Sequence, residues 1–202
     1  MPVKKISLKL VATLSLAALP LALTPLLGGC TAVLTETNDK PIEEDPGRRS
    51  LGSIIDDQSI ETTATVNVRK TDPGLEHANV VITSYNGIVL LCGQVPSEEL
   101  RNAAAQTVAL VKNVRQVHNY LTIGDNTGFV VRSSDALLTS KVKAKLLTAA
   151  NIKDSRVKVI TENGEVFLLG LVTHAEGNIA GNVAQNTDGV QKVVLLFEFV
   201  DK

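Results

Sequence analysis

The sequence predicts an α+β fold made of two tandem repeats, each with the element order α-β-β-α-β. Each repeat is expected to form a small mixed sheet with two helices on one face. The first observation is a ten-residue segment that starts with Asn-Gly at Asn86 and occurs again 77 residues later, at Asn163. The second is the strand-like run that precedes each copy, at 80–83 and 157–160. The third is that apolar residues with helical spacing flank both segments, which indicates a repeated α+β unit.

The two Asn-Gly pairs predict β-hairpins with tight turns. Both pairs lie between strand-like segments, and a type I′ turn needs positive φ at its two central residues. Gly87 and Gly164 are therefore predicted turn glycines. A second glycine follows in each copy, at Gly93 and Gly170. At these positions a side chain is expected to obstruct the close approach of a neighbouring backbone.

The first helix of repeat one is predicted from apolar residues spaced at i, i+4 and i+8, which are Ile60, Ala64 and Val68. Asp56 or Asp57 is the predicted N-cap, and the Asp-Pro-Gly sequence at 72–74 ends the helix. Ser97 is predicted to cap the second helix. A strand over 114–123 then completes the repeat.

Repeat two shows the same order, and the stripe of its first helix is Leu138, Val142 and Leu146. Ser134 or Asp135 is the predicted N-cap of this helix, which runs to about Ala149. Thr173 and Glu176 have the spacing of a capping box at the start of the second helix. Each repeat has about 70 residues, which is near the lower limit for an independent core. We therefore expect the repeats to pack on each other.

Residues 1–29 are typical of a bacterial export signal, with Lys4, Lys5 and Lys9 before an apolar stretch. The alternative is a transmembrane anchor. The stretch ends in Leu-Gly-Gly-Cys, which resembles the lipobox of bacterial lipoproteins and predicts acylation of Cys30, with palmitate among the acyl chains. Segment 30–52 is then a flexible tether. The residue after the cysteine is Thr31 and not aspartate. By resemblance to the sorting rules of bacterial lipoproteins, this implies the outer membrane, with the body of the protein in the periplasm.

Composition and motifs argue against several functions. Without the three leader lysines, the chain has 17 basic and 21 acidic side chains, a net charge of −4. A chain of this charge that is 3% aromatic is not expected to bind nucleic acid. No nucleophile motif or metal-ligand spacing occurs, so we expect no enzyme activity, metal or cofactor. Cys92 lies in an apolar strand and is predicted to be an inert core thiol.

The region 53–202 resembles a pair of BON domains, at 53–124 and 130–202. The resemblance rests on the two Asn-Gly hairpins, their second glycines, and the Gly-Val-x-x-Val pattern at 189–193. In repeat one, Asn113 stands where that pattern has glycine. Together with the sequence before Cys30, the chain resembles tandem BON-domain outer-membrane lipoproteins.

This resemblance implies a non-enzymatic protein that binds anionic phospholipid, supports outer-membrane integrity and gathers at division sites. It also implies that the first helix of the second domain contacts the lipid. Envelope proteins are possible further partners, and the sequence does not indicate an oligomeric state. The alternative is a periplasmic protein-binding or chaperone-like BON module that acts in envelope stress.

The residues of this helix agree with lipid contact. Once its apolar stripe is buried, the side chains left for the flanks and the outside are Leu137, Lys141, Lys143, Lys145 and Leu147. Ammonium groups near anionic headgroups contribute about 1 kcal/mol each, and exposed leucines can enter the acyl boundary. The alternative is an ordinary solvated helix face, with Leu137 and Leu147 packed on repeat one.

Overall fold

The computed structural model describes residues 45, 47–149 and 156–201. The expected signal segment, Cys30 and most of the expected tether lie outside the described residues. Repeat one contains α1 (Leu51–Thr71), α2 (Pro73–Glu76), β1 (Asn79–Tyr85), β2 (Ile88–Val95), α3 (Glu98–Ala109) and β3 (Gln116–Ile123). Repeat two contains α4 (Phe129–Thr148), β4 (Val157–Glu162), β5 (Glu165–Val172), α5 (His174–Gln185) and β6 (Lys192–Phe199).

Each repeat forms a three-stranded mixed sheet. The strand orders are β1-β2-β3 and β4-β5-β6. In both sheets the hairpin strands pair antiparallel, and the last strand pairs parallel with the middle strand. The predicted α-β-β-α-β order is therefore confirmed, with the single turn of α2 added in repeat one.

The helices of each repeat cover one face of its sheet and form a separate core there. In repeat one the predicted stripe of α1 is buried against β2 and α3, and in repeat two the stripe of α4 is buried against β5 and α5. Both stripes were predicted from their spacing, and both are confirmed. Burial of one stripe leaves the opposite side of each helix facing solvent.

A third core lies between the two sheets and joins the repeats. Its buried members are Tyr85, Leu90, Cys92, Phe167, Leu169 and Leu196. Tyr120 packs edge-on against Phe167, with 5.2 Å between ring centroids. The described residues are thus layered as helices, sheet, sheet and helices. The expectation that the repeats pack on each other is confirmed.

Both predicted turns have the required backbone conformation. Asn86 and Gly87 have φ of 53° and 75°, and Asn163 and Gly164 have φ of 49° and 77°. The prediction for the second glycines is also confirmed. A Cβ atom on Gly93 would overlap the carbonyl oxygen of Asn79 in the paired strand.

The predicted caps of α1 and α4 are wrong. The N-cap of α1 is Ser50, whose side chain accepts a hydrogen bond from the Ser53 amide at 3.0 Å. The N-cap of α4 is Gly128, which has no side chain to accept one. All four residues predicted as possible caps lie inside the helices, and two of them, Asp57 and Asp135, bind the hairpin turns instead. The last strand of repeat one begins at Gln116, two residues later than predicted.

Candidate functional site

Helix α4 is held by its inner side and is open on its outer side. Leu138, Val142 and Leu146 are buried in the core of repeat two. This core lies on the face of the sheet opposite to the core between the repeats. The outer side of α4 therefore faces away from repeat one.

Asp135 joins α4 to the hairpin of its own repeat. Its carboxylate accepts hydrogen bonds from the amides of Asn163 at 2.7 Å and Gly164 at 2.9 Å. Asp57 does the same in repeat one, with the amides of Asn86 and Gly87 at 2.8 and 2.9 Å. In each repeat the carboxylate therefore joins the first helix to the hairpin turn.

The structure places all five predicted contact residues of α4 on its exposed surface. Leu137 is 66% exposed and Leu147 is 63% exposed, so the alternative that they pack on repeat one is wrong. Lys141, Lys143 and Lys145 are also exposed. Lys145 donates a hydrogen bond to the Asn186 carbonyl oxygen at 2.8 Å, which ties its ammonium group to the end of α5.

The helix begins earlier than the sequence analysis expected, and this adds residues to the surface. Phe129 and Val130 form the first turn of α4 and are 77% and 80% exposed. Arg132 lies in the next turn and is exposed as well. In the sequence, the hydrophobic run at 129–131 indicated these additional apolar residues. Because the N-cap was predicted at Ser134 or Asp135, the run was expected to precede the helix and not to form its first turn.

Helix geometry places the apolar side chains of this set between two cationic flanks. At 100° per residue, Phe129 and Leu147 lie to one side of the outward direction and Leu137 to the other, each within about 45° of it. Arg132 and Lys143 lie along one flank, and Lys141 and Lys145 lie along the other. We call these seven residues, together with Val130, the α4 ridge. Asp135 is the one acidic residue of α4, and it is buried, so the exposed surface of the helix is cationic.

Repeat one provides an internal comparison, because α1 occupies the same place in its own repeat. Its buried stripe has the same spacing, but its outer side carries mainly uncharged polar residues, namely Gln58, Ser59, Thr62, Thr63 and Asn67. Its exposed charges are Asp56 near the start and Arg69 and Lys70 in the last turn. The fold therefore does not require a cationic ridge on this helix.

Other candidate chemistry is sparse in the part of the chain that the structure describes. No cluster of three or more His, Cys, Asp or Glu side chains within 45, 47–149 and 156–201 could hold a metal ion. Cys92 is buried between the sheets, and burial raises the pKa of its thiol far above the ordinary value. Burial also lowers the pKa of His118. In these same ranges, no helix has both the length and the apolar content that crossing a membrane requires.

The fold and the α4 ridge define a class of protein, a tandem pair of small α+β domains whose candidate site is an open helix surface. The family model of the BON domain matches residues 56–125 and 134–201. The chain belongs to the BON domain family, as the sequence analysis predicted.

Three relatives resemble the chain over most of its length. The outer membrane lipoprotein DolP of Haemophilus influenzae is 37% identical, over 99% of this chain and 98% of its own. The 21 kDa hemolysin of Actinobacillus pleuropneumoniae is 37% identical, over 75% of this chain and 78% of its own. Osmotically-inducible protein Y of Escherichia coli is 29% identical, over 78% of this chain and 83% of its own.

Proposed function

We propose that this protein is a non-enzymatic outer-membrane lipoprotein, anchored through acylated Cys30, with its two BON domains in the periplasm. It binds anionic phospholipid through the α4 ridge. By this contact it supports the integrity of the outer membrane, and it acts at division sites.

The observation that carries the proposal is the composition of the α4 ridge. Its apolar side chains can enter the boundary between headgroups and acyl chains, as interfacial amphipathic helices do. Its cationic flanks can remain at the level of the lipid phosphates, because long basic side chains extend toward the interface. Each such cation contributes about 1 kcal/mol at an anionic surface. The internal comparison with α1 supports a role for the ridge beyond the fold.

The anchor and the location are supported by the sequence before Cys30 and by the name of the relative DolP, an outer membrane lipoprotein that aligns over 98% of its length. Several acyl chains on one cysteine hold a protein at a membrane, whereas a single chain binds only marginally. Labelled palmitate is expected to be incorporated into the wild-type protein and not into Cys30→Ala.

Lipid binding is tested by co-sedimentation of residues 31–202, which lack the acylated cysteine, with vesicles of phosphatidylglycerol and phosphatidylethanolamine. We expect the double variant K141E/K143E to bind at least about tenfold more weakly, since two favourable charge contacts become unfavourable.

The matched control is R69E/K70E, which makes the same change of charge at the end of α1. This variant is expected to bind nearly as well as the wild type. Undiminished binding of K141E/K143E would show that the α4 ridge does not bind the lipid. Equal losses in both variants would show that net charge, and not the ridge, determines binding.

A further inference from the structure

Strand β6 has an open outer edge. It is the last strand in the order β4-β5-β6, so no described residue pairs with its outer side. It extends over eight residues, Lys192–Phe199, without proline. Natural proteins usually protect such an edge with charges, proline or a bulge, because its free backbone groups can bind another strand.

The hydrogen bonds to β5 show which residues of β6 point outward. The Val200 amide donates to the Val172 carbonyl oxygen at 3.0 Å, just beyond the end of the strand. In a parallel ladder, alternate residues bond to the same neighbour. The even-numbered residues of β6 therefore point their backbone groups toward β5. The backbone groups of Val193, Leu195 and Phe197 point to the open edge.

A groove of about 480 Å³ lies beside this edge, between α5 and β6. Gly181, Asn182 and Val193 contribute to its walls. The side chain of Leu195 packs beneath Gly181 and is 46% exposed. At the other end of the strand, Phe199 is 49% exposed and stacks on His174, with 4.0 Å between ring centroids.

The corresponding edge in repeat one, the outer edge of β3, carries polar residues where repeat two has Leu195 and Gly177. Asn119 of β3 stands where β6 has Leu195, and Arg101 stands where α5 has Gly177. The Asn119 side-chain amide donates to the Arg101 carbonyl oxygen at 3.1 Å. The apolar edge and its groove are therefore features of repeat two and not of the fold.

We propose that β6 is a self-association strand, which pairs antiparallel with β6 of a second copy of this chain. The two-fold axis passes through Leu195, and the two sheets join into one of six strands. This proposal is independent of lipid binding by α4.

The backbone and the groove together select this register. Outward-pointing residues must face each other in an antiparallel ladder, so Leu195 faces its own copy and Val193 faces Phe197 of the other chain. The same register brings Phe199 of each copy opposite Gln191, at the groove of the other. The exposed side of the ring, whose other side stacks on His174, then lies against the groove, and the symmetry makes both grooves equivalent.

The charges are complementary in the same register. Lys192 faces Glu198 of the second copy at a position where side chains approach closely. Within one chain, Lys192 already contacts Glu165 at 3.0 Å, and Glu198 contacts Arg115 at 2.8 Å. When two copies pair, Glu165 and Lys192 of one chain and Glu198 and Arg115 of the other form a row of four alternating charges. One such row lies at each end of the joined strands. A strand with two-fold complementarity of charge and shape fits a second copy better than an unrelated peptide.

The test measures the mass of residues 31–202 by sedimentation over about 5–500 μM. A pair of edge strands buries less area than a standard interface, so we expect weak, concentration-dependent dimers. Leu195→Lys places two ammonium groups at the two-fold axis and is expected to weaken the dimer at least tenfold. The matched control is Ile123→Lys, at an exposed position on the edge of the other sheet, and it is expected to leave the dimer unchanged.

Disulfide trapping tests the register without depending on the lysine variant. Leu195→Cys is expected to form an intermolecular disulfide under mild oxidation, because paired Cα atoms about 5.5 Å apart allow one. Val193→Cys is expected not to, since it faces Phe197. Circular dichroism confirms that each variant is folded.

Three results would overturn the proposal. The first is a wild-type protein that stays monomeric over the whole concentration range. The second is a dimer that Leu195→Lys and Ile123→Lys affect equally, which would place the contact elsewhere. The third is trapping of Val193→Cys as readily as Leu195→Cys, which would indicate a parallel pair or another register.

Discussion

Asp57 joins three parts of repeat one through one carboxylate. It lies in α1, accepts hydrogen bonds from the amides of Asn86 and Gly87 in the hairpin, and accepts one from the Ser84 hydroxyl at 2.6 Å. Arg49, just before α1, contacts it at 2.6 Å. Burial by itself would raise the pKa of Asp57. The bonds from Ser84, the turn amides and Arg49 outweigh burial and hold the pKa below its ordinary value.

We predict that Asp57→Asn destabilises the protein by about 1–3 kcal/mol at pH 7, the usual loss for a buried, charged acceptor. The folded pKa is below the unfolded value of about 3.9, so the charged form contributes stability above that pH. This contribution is lost as pH falls through the folded pKa. The gap in unfolding free energy between wild type and variant, measured in urea, should therefore shrink from pH 7 to pH 3.

The control for this prediction is Asp56→Asn, which removes the neighbouring exposed carboxylate. It is expected to change the unfolding free energy by less than about 0.5 kcal/mol, as exposed substitutions usually do. If the difference in unfolding free energy between wild type and Asp57→Asn does not depend on pH, the charge of Asp57 contributes nothing to stability.

At the scale of elements, α1 and α4 show how one helix position serves two purposes. Both helices bury an apolar stripe of the same spacing, and both bind their hairpin through an aspartate. Their outer sides are free to differ, because the core constrains only the inner stripe. In α4 the outer side is a cationic surface with exposed apolar side chains between its two flanks.

Leu137→Trp is expected to strengthen binding to phosphatidylglycerol vesicles several-fold, since indole favours the membrane interface. Leu137 is exposed, so the fold accommodates the larger ring. The chain has no tryptophan, which makes the new residue a clean fluorescence reporter. Its emission should shift to the blue as vesicles are added.

Val66→Trp, on the exposed side of α1, is the matched control for this reporter. Its emission should stay unshifted at the same lipid concentration. A blue shift from both positions would indicate general adsorption, and a shift from neither would argue against insertion of the ridge.

At the scale of the whole molecule, the core between the sheets makes the two repeats one unit. Polar contacts surround this core. Glu162 accepts hydrogen bonds from Asn79 and Gln94 at 3.0 and 2.9 Å, and Lys158 donates to Glu61 at 2.7 Å. All of these contacts join one repeat to the other. Neither repeat therefore presents its second sheet face to water.

Phe167→Ala tests how strongly the stability of the protein depends on the core between the two sheets. Phe167 is buried between the sheets, and removal of such a ring costs about 3–5 kcal/mol. We predict that wild-type unfolding is a single transition in circular dichroism and tyrosine fluorescence, and that the variant unfolds at a much lower urea concentration. Leu110→Ala removes a highly exposed side chain and should change little. A loss below about 1 kcal/mol for Phe167→Ala would mean that the repeats are stable separately.

Two local features made much of the fold predictable from sequence. The hairpins follow from Asn-Gly pairs that accept positive φ, and the buried stripes of α1 and α4 follow from their spacing. The helix starts were not predictable in this way. Asp57 and Asp135 have the chemistry of N-caps, and only the hairpin about 30 residues away shows that they bind turns instead.

The sequence by itself therefore determined the repeated unit, the turns, the helix stripes and the residues of α4 that are left for an outer surface. Only the tertiary structure decided that the sheets pack face to face and that Leu137 and Leu147 remain in solvent. The physical reason lies in the middle strands. β2 and β5 are buried on both faces, so each is a continuous apolar run without alternation, and such a run does not show what covers its second face.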